Sequence, residues 1–339
     1  MKKNSAKIAL NGFGRIGRTV LRAFFESPQN HNFEIIAVND LLNIDTAVHL
    51  LKYDSVHGPF ASKVEKISET LFSVDEKRIT YTSEKSPAQL PWEEFGIDLV
   101  LECSGIFKSK KLCQEHLNAG AKKVLISCPA DDADRTIVYG VNNEVLDKAN
   151  DTILSNASCT TNCLAPLVKA IHESVGIVSG FATTVHSYTS DQRLIDAGHS
   201  DLRRARAAAL NMIPTSTGAT KAIEKIFPGL RGKLSGLSIR VPTSYVSVVD
   251  FTFCTQRKTS ANELNDVVVS YAEDSLKGIL GYTRESLVSS DFNHNPLSAI
   301  VDTQLTSVVA GNMAHMVAWY DNEWGFSHRM LDVARLWLS

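Results

Sequence analysis

Short apolar runs rich in β-branched residues punctuate the first half of the chain, at 7–11, 34–38, 97–103, 123–127, 136–140 and 153–155, and each reads as a strand. Between the first two, Val20, Leu21, Phe24 and Phe25 recur at helical spacing, and Ser27-Pro28 supplies the stop signal. This is one βαβ unit. Its continuation as alternating strands and helices predicts a mostly parallel sheet covered by helices.

The texture changes after residue 159. Positions 164–175 carry a helical pattern, while 181–185, 237–241, 246–253 and 313–320 read as strands rich in valine, threonine and aromatic residues, a composition that predicts a mostly antiparallel sheet. The stretch 187–217 is polar and basic, holds His199, Arg203, Arg204 and Arg206 without a sustained apolar stripe, and reads as a long functional loop. No internal repeat or low-complexity tract is apparent.

With 339 residues and 44% hydrophobic composition, the chain can fill two domain cores. Lysine and arginine number 35 against 37 for aspartate and glutamate, so the formal charge of -2 provides no field to attract nucleic acid or an anionic membrane. No apolar run approaches the roughly 18 residues needed to span a bilayer. The apolar stretch after the basic start breaks at Asn11-Gly12, too early for a signal-peptide core. A soluble cytoplasmic protein is expected, with a small molecule as its partner. The six cysteines (Cys103, Cys113, Cys128, Cys159, Cys163, Cys254) include no CxxC pair, which argues against a disulfide framework or zinc site. No metal is expected.

Gly12-Phe13-Gly14-Arg15-Ile16-Gly17 follows the first strand and opens the first helix, the context in which GxGxxG binds a dinucleotide. The glycines permit a tight turn and close approach of a pyrophosphate, whose charge meets a helix N-terminus. This predicts a Rossmann-type doubly wound sheet. Asp40 ends the second strand, near the spacing at which an acid accepts hydrogen bonds from an adenine-ribose diol, so the expected cofactor is NAD.

Ser155-Asn156-Ala157-Ser158-Cys159-Thr160-Thr161-Asn162-Cys163 ends a strand and begins a helix, and a cysteine there meets the positive end of a helix dipole. The segment resembles the active-site sequence of the glyceraldehyde-3-phosphate dehydrogenase family. The resemblance extends through NGFGRIGR, HSYTSDQ, DLRRARAAA, PTSTGATKA, SSDFNH and WYDNEWGF, in order over essentially the whole chain.

This resemblance implies that Cys159 is a nucleophile and His186 its base, joined in a thiohemiacetal and thioester cycle closed by inorganic phosphate. It assigns Thr189, Asp191 and Arg240 to the phosphate of a sugar-phosphate substrate. Ser158, Thr160, Arg204, Thr217 and Gly218 are assigned to the attacking phosphate. Arg203 and Arg206 flank Arg204, and the resemblance alone does not separate the three. It also implies cofactor contacts from Ser127 and from Asn322, whose amide suits a nicotinamide carboxamide. A homotetramer is implied, with the 188–213 loop at a subunit interface. The expected organisation is an NAD-binding domain over 1–158, a catalytic domain over 159–322 and a segment 323–339 returning to the first domain as a helix.

Three places depart from the commonest family pattern. Ala197-Gly198 stands where many strictly NAD-dependent members carry Leu-Pro and where members that accept NADP carry small residues, Ser244-Tyr245 replaces the usual Pro-Asn, and Cys128 replaces the usual alanine. The nearest rival within the fold is erythrose-4-phosphate dehydrogenase, which hydrolyses its thioester. The rival from another class is a non-catalytic binding or adhesion protein on the same fold.

Overall fold

A computed structural model describes residues 5–27 and 32–339. The chain divides into two compact units: residues up to Ala157 together with Ser327–Ser339 form one, and Ser158–Phe326 the other.

In the first unit, the strands Arg135–Thr136, Ile153–Ser155, Val124–Ile126, Leu99–Glu102, Ala6–Asn11, Phe33–Asn39 and Lys77–Thr82 lie side by side and parallel. Leu71–Val74 and Val64–Ser68 extend this sheet antiparallel at one edge. The chain enters at Ala6–Asn11 in the middle and builds outward on both sides, which places a topological switch point at the carboxyl end of that strand. Central strands are buried on both faces, as the continuous apolar runs require; Leu99–Glu102 and Val124–Ile126 have no exposed residue. Helix Arg15–Glu26 ends where Ser27 turns extended and its N–H returns to the Ala23 carbonyl; Pro28 lies outside the described residues.

The run 136–140 differs from its reading as a strand. Only Arg135–Thr136 pairs, because the chain turns away through Gly140 in a left-handed conformation, φ 79°, although Ile137 and Val138 remain buried. Apolar side chains there serve the core without belonging to the ladder.

The second unit is built on Ile213–Thr215, Leu234–Val241, Ile177–Ser187, Ser247–Thr255, Met313–Tyr320, Ala299–Asp302 and Leu280–Thr283, in that spatial order, with Ser307–Val309 also paired to Met313–Tyr320. Most neighbours are antiparallel; two pairs are parallel, including Ile177–Ser187 with Leu234–Val241. Ser247–Thr255 alternates buried and half-buried residues without a break, the mark of a strand with one covered face. Helix Cys159–Val175 begins five residues earlier than its apolar pattern, because Ser158 caps it through the Thr161 N–H. Gly176, φ 71°, ends it. From 188 to 212 the chain forms no helix or extended strand.

Candidate active site

The first of two candidate centres is the switch point of the parallel sheet. Gly12 has φ 91°, and a Cβ there would lie 2.4 Å from the Ser104 backbone; one on Gly17 would lie 2.1 Å from the Gly12 carbonyl oxygen. Glycine is therefore required twice to bring strand, turn and helix together. Gly14 caps helix Arg15–Glu26 with no side-chain acceptor for the first-turn N–H groups. Beside the turn is a cleft of about 240 Å³ lined by Gly12, Gly14, Asp40, Leu41, Ser104 and neighbouring residues. Uncapped N–H groups, a turn without Cβ atoms and an acid at one end fit a dinucleotide.

Asp40 ties the glycine turn to the segment that follows its own strand. Its Oδ2 accepts from the Phe13 N–H at 2.5 Å and its Oδ1 from the Leu42 N–H at 2.9 Å. Phe13 itself faces inward, its ring 6.2 Å from that of Phe72, so of the Phe13 groups it is the main chain that lies toward Asp40. The Arg15 guanidinium pairs with Asp54 at 2.5 Å. Burial would raise the Asp54 carboxyl, but Arg15 and the N–H groups of His57 and Val56 overcome it and hold the group at about 2. Ile16 is half-buried in the first turn of the helix, and Ser127 follows strand Val124–Ile126, its N–H donating to the Glu102 carbonyl. Next to it, burial pushes the Cys128 thiol up to about 11.

The second centre surrounds Cys159, the first residue of its helix. Just before it, Ala157 has a left-handed backbone, φ 58°, uncommon for a residue with a side chain and typical of an over-determined functional turn. Cys159 Sγ lies 3.5 Å from His186 Nε2. The His186 Nδ1 lies 2.7 Å from the Ser187 carbonyl oxygen, which can only accept, and 3.0 Å from Arg240 Nη1, which can only donate; the shorter contact assigns the proton to Nδ1 and so leaves the Nε2 lone pair facing the thiol. Register places Arg240 directly across from His186 on the neighbouring strand, and its Nη1 donates to the same carbonyl at 3.0 Å. Burial, then the Arg240 charge, lowers His186 to about 3. Burial raises the Cys159 thiol, while Arg240 and the Thr160 hydrogen bonds oppose the rise.

Around this pair, the Tyr320 hydroxyl meets Thr160 Oγ1 at 2.9 Å and Thr184 Oγ1 at 2.8 Å, and its ring stands edge-on to His186. Asn322 Oδ1 accepts from Ser187 Oγ at 2.9 Å and Ser247 Oγ at 3.1 Å, which fixes the orientation of its amide. Tyr320 and these serines are the supporting groups that motif reading does not assign; Ser187 lies within HSYTSDQ and Tyr320 within WYDNEWGF, while Ser247 lies in no quoted motif.

Of the three neighbouring arginines, Arg204 is the one drawn into the site. Its Nε donates to Thr215 Oγ1 at 3.0 Å and its Nη1 to Asp191 Oδ2 at 2.8 Å. Arg206 pairs with Asp196 on an exposed stretch, and Arg203 is exposed. Asp191 thus orients a cation; burial opposes ionisation of its carboxyl, and Arg204 reverses that effect. The Thr189 N–H donates to Gln192 Oε1 at 3.3 Å. Thr217 Oγ1 accepts from the Ala219 N–H, and the exposed Gly218 precedes helix Ala219–Ile226 without a side-chain cap. Ser158 and Thr160 have their hydroxyls engaged by Thr161 and Tyr320. The Tyr245 departure is a packing matter, since its side chain lies against the Val246, Phe292 and Ile300 cluster.

Comparison with known families decides the class. "Glyceraldehyde 3-phosphate dehydrogenase, NAD binding domain" matches residues 6–110 and "Glyceraldehyde 3-phosphate dehydrogenase, C-terminal domain" matches 158–322. The chain belongs to the glyceraldehyde-3-phosphate dehydrogenase family. It is 54% identical to the plasmid-encoded glyceraldehyde-3-phosphate dehydrogenase of Cupriavidus necator, over 97% of each chain. It is 52% identical to that of Xanthobacter flavus, over 97% of this chain and 98% of the relative, and 49% identical to that of Geobacillus stearothermophilus, over 97% of each. Membership makes it an NAD-dependent oxidoreductase acting on glyceraldehyde 3-phosphate, as the motifs imply. Among the described residues no helix is long and apolar enough to cross a membrane.

Proposed function

We propose that the chain is the phosphorylating enzyme, with Cys159 as nucleophile and His186 as base, converting glyceraldehyde 3-phosphate and inorganic phosphate to 1,3-bisphosphoglycerate. The observation that carries this reading is the 3.5 Å contact of Cys159 Sγ with His186 Nε2, and the shorter Nδ1–Ser187 carbonyl contact supports a proton-free Nε2 toward the sulfur. His186 takes the thiol proton as sulfur bonds to the aldehyde carbon, and returns it to the new alkoxide to complete the thiohemiacetal. Bound NAD supplies the hydride acceptor. As the thiohemiacetal is oxidised, His186 takes its hydroxyl proton and the carbon–oxygen double bond of the thioester forms. A phosphate oxygen then attacks this carbon, the carbon–sulfur bond breaks, and the departing thiolate is stabilised by the His186 imidazolium.

Gly12, Phe13, Gly14, Arg15, Ile16 and Gly17 would hold the dinucleotide through the turn and helix N-terminus, Asp40 its adenine ribose, and Ser127 and Asn322 its nicotinamide end. Thr189 and Arg240, with Asp191 orienting, serve the substrate phosphate. Ser158, Thr160, Arg204, Thr217 and Gly218 serve the attacking phosphate; the placement of Arg204 between Thr215 and Asp191 supports choosing it over its neighbours. In this reading the cofactor half is the unit up to Ala157 together with Ser327–Ser339 and the catalytic half is Ser158–Phe326, within a few residues of the boundaries expected at 158 and 322. The protein is cytoplasmic and homotetrameric in this reading. Leu194, Leu202 and Leu210 are each more than 80% exposed on the 188–213 loop, and burial of that apolar surface against another subunit supports the assembly.

Phosphate dependence is the test. Glyceraldehyde 3-phosphate should be oxidised fast only with inorganic phosphate present, yielding an acyl phosphate, and Thr217→Ala should raise the KM for phosphate while leaving NAD binding unchanged. Phosphate-independent oxidation of erythrose 4-phosphate, faster than that of the triose, would move the chain to the hydrolytic rival.

A further inference from the structure

A buried polar chain in the first unit takes no part in the chemistry above. Strands Phe33–Asn39, Ala6–Asn11 and Leu99–Glu102 end at one level, and register pairs Asn11 with Asn39 on one side and with Glu102 on the other. All three terminal side chains are buried, as are His116 and Trp92. Asn39 Nδ2 donates to Asn11 Oδ1 at 2.8 Å, and Asn11 Nδ2 donates to Glu102 Oε2 at 2.5 Å. The other carboxylate oxygen accepts from both the N–H and the hydroxyl of Ser104, at 2.8 and 2.5 Å.

The far end of the chain is braced. Trp92 Nε1 donates to His116 Nδ1 at 3.0 Å, so the imidazole proton is on Nε2 and is donated to Glu102 Oε2, also at 3.0 Å. Four donors therefore converge on one buried carboxylate, and among the described residues no lysine or arginine pairs with it. An acceptor is needed at both oxygens. A glutamine would present a donor either to Asn11 and His116 or to Ser104, so shape alone does not account for glutamate here.

Asn11, Gly12, Asn39 and Ser104 line the 240 Å³ cleft, whereas Glu102, His116 and Trp92 do not. The Ser104 backbone is also the surface against which the missing Cβ of Gly12 would collide. We infer that Glu102 is a positioning residue for the dinucleotide: it sets Ser104 and Asn11, and through them the glycine turn, while His116 and Trp92 brace it from behind. The inference rests on the reading that NAD lies on the Gly12–Gly17 turn.

The test measures NAD dissociation constants by calorimetry, together with KM for NAD, kcat at saturating NAD and melting temperature, on the full-length protein. Glu102→Gln should raise Kd and KM for NAD by about tenfold or more, the effect of losing a hydrogen bond to a charged acceptor, with kcat changed by less than about twofold. Glu102→Asp, which keeps both acceptors, should restore part of the loss. A Glu102→Gln protein with a lowered melting temperature and unchanged NAD affinity would reduce Glu102 to a scaffold residue and overturn the inference. Should that variant not fold, His116→Ala decides: it leaves the cleft lining intact, and unchanged NAD affinity there overturns the inference equally. Asp40→Asn separates the two readings. If it weakens NAD binding while the Glu102 and His116 changes do not, the turn remains the NAD site and only the positioning role fails; if it leaves NAD binding unchanged, the inference falls with the site.

Discussion

His116 in the first unit and His186 in the second are both buried, yet one faces a carboxylate and the other an arginine. Against Glu102, His116 is a fixed donor, its Nε2 proton committed to an acceptor and its Nδ1 taken by Trp92. Burial first, and Arg240 beside it, keep His186 from gaining a proton, and its Nε2 is aimed at a thiol. Burial is common to the two imidazoles, so what separates the structural one from the reactive one is the group that each ring nitrogen faces.

Removing the reactive partner has the largest expected effect. Cys159→Ala should abolish turnover with NAD affinity retained in calorimetry, since nothing in the glycine turn depends on the sulfur; residual dehydrogenase activity would break the distinction between the two histidines. His186→Asn should follow, lowering kcat by about 10²- to 10⁴-fold, the usual worth of a general base. Its rate of alkylation by iodoacetamide should rise only at higher pH than in the native protein, and an unshifted profile would count against the Cys159–His186 pairing.

Arg240→Met examines the charge itself. Arg240 depresses His186 and opposes the rise of the Cys159 thiol, so its loss should raise both. The acid limb of kcat/KM should therefore move to higher pH than in the native protein, as should the alkylation midpoint, and KM for the triose phosphate should increase. An acid limb that stays in place would show that burial alone keeps His186 neutral.

The smallest effect is expected at Asp54, a carboxylate of the first unit that does face a cation. Its folded value of about 2 lies below the unfolded value near 3.9. The stabilisation is thus present above about pH 4 and is lost as pH falls through about 2. Asp54→Asn should lower stability at pH 7 by about 1 kcal/mol, after allowance for screening at the partly exposed Arg15, and the difference from native should vanish in acid melts.

The glycine turn was legible because Gly12 to Gly17 are consecutive and follow a strand, whereas Cys159 and His186, 27 positions apart, were paired only through the family resemblance of their two short motifs. Strand Met313–Tyr320 was equally legible from its apolar run. The supporting groups were not. Tyr320 meets Thr160 across 160 positions, Ser187 meets Asn322 across 135, and Glu102 meets Asn11 across 91, so no local pattern announces them. The same limit explains 136–140, where apolar residues reported burial and could not report whether a neighbouring strand would pair.

The alignment of His186 with Arg240 across two parallel strands also bears on quality control. Side chains alternate between faces along a strand, so a slip of one residue between Ile177–Ser187 and Leu234–Val241 would turn one of this pair to the opposite side of the sheet while leaving most hydrogen bonds replaceable. Such a molecule could retain native-like secondary structure and still be inert. Titration of reactive thiol per mole of refolded chain would then count correctly registered molecules, where circular dichroism would count them all.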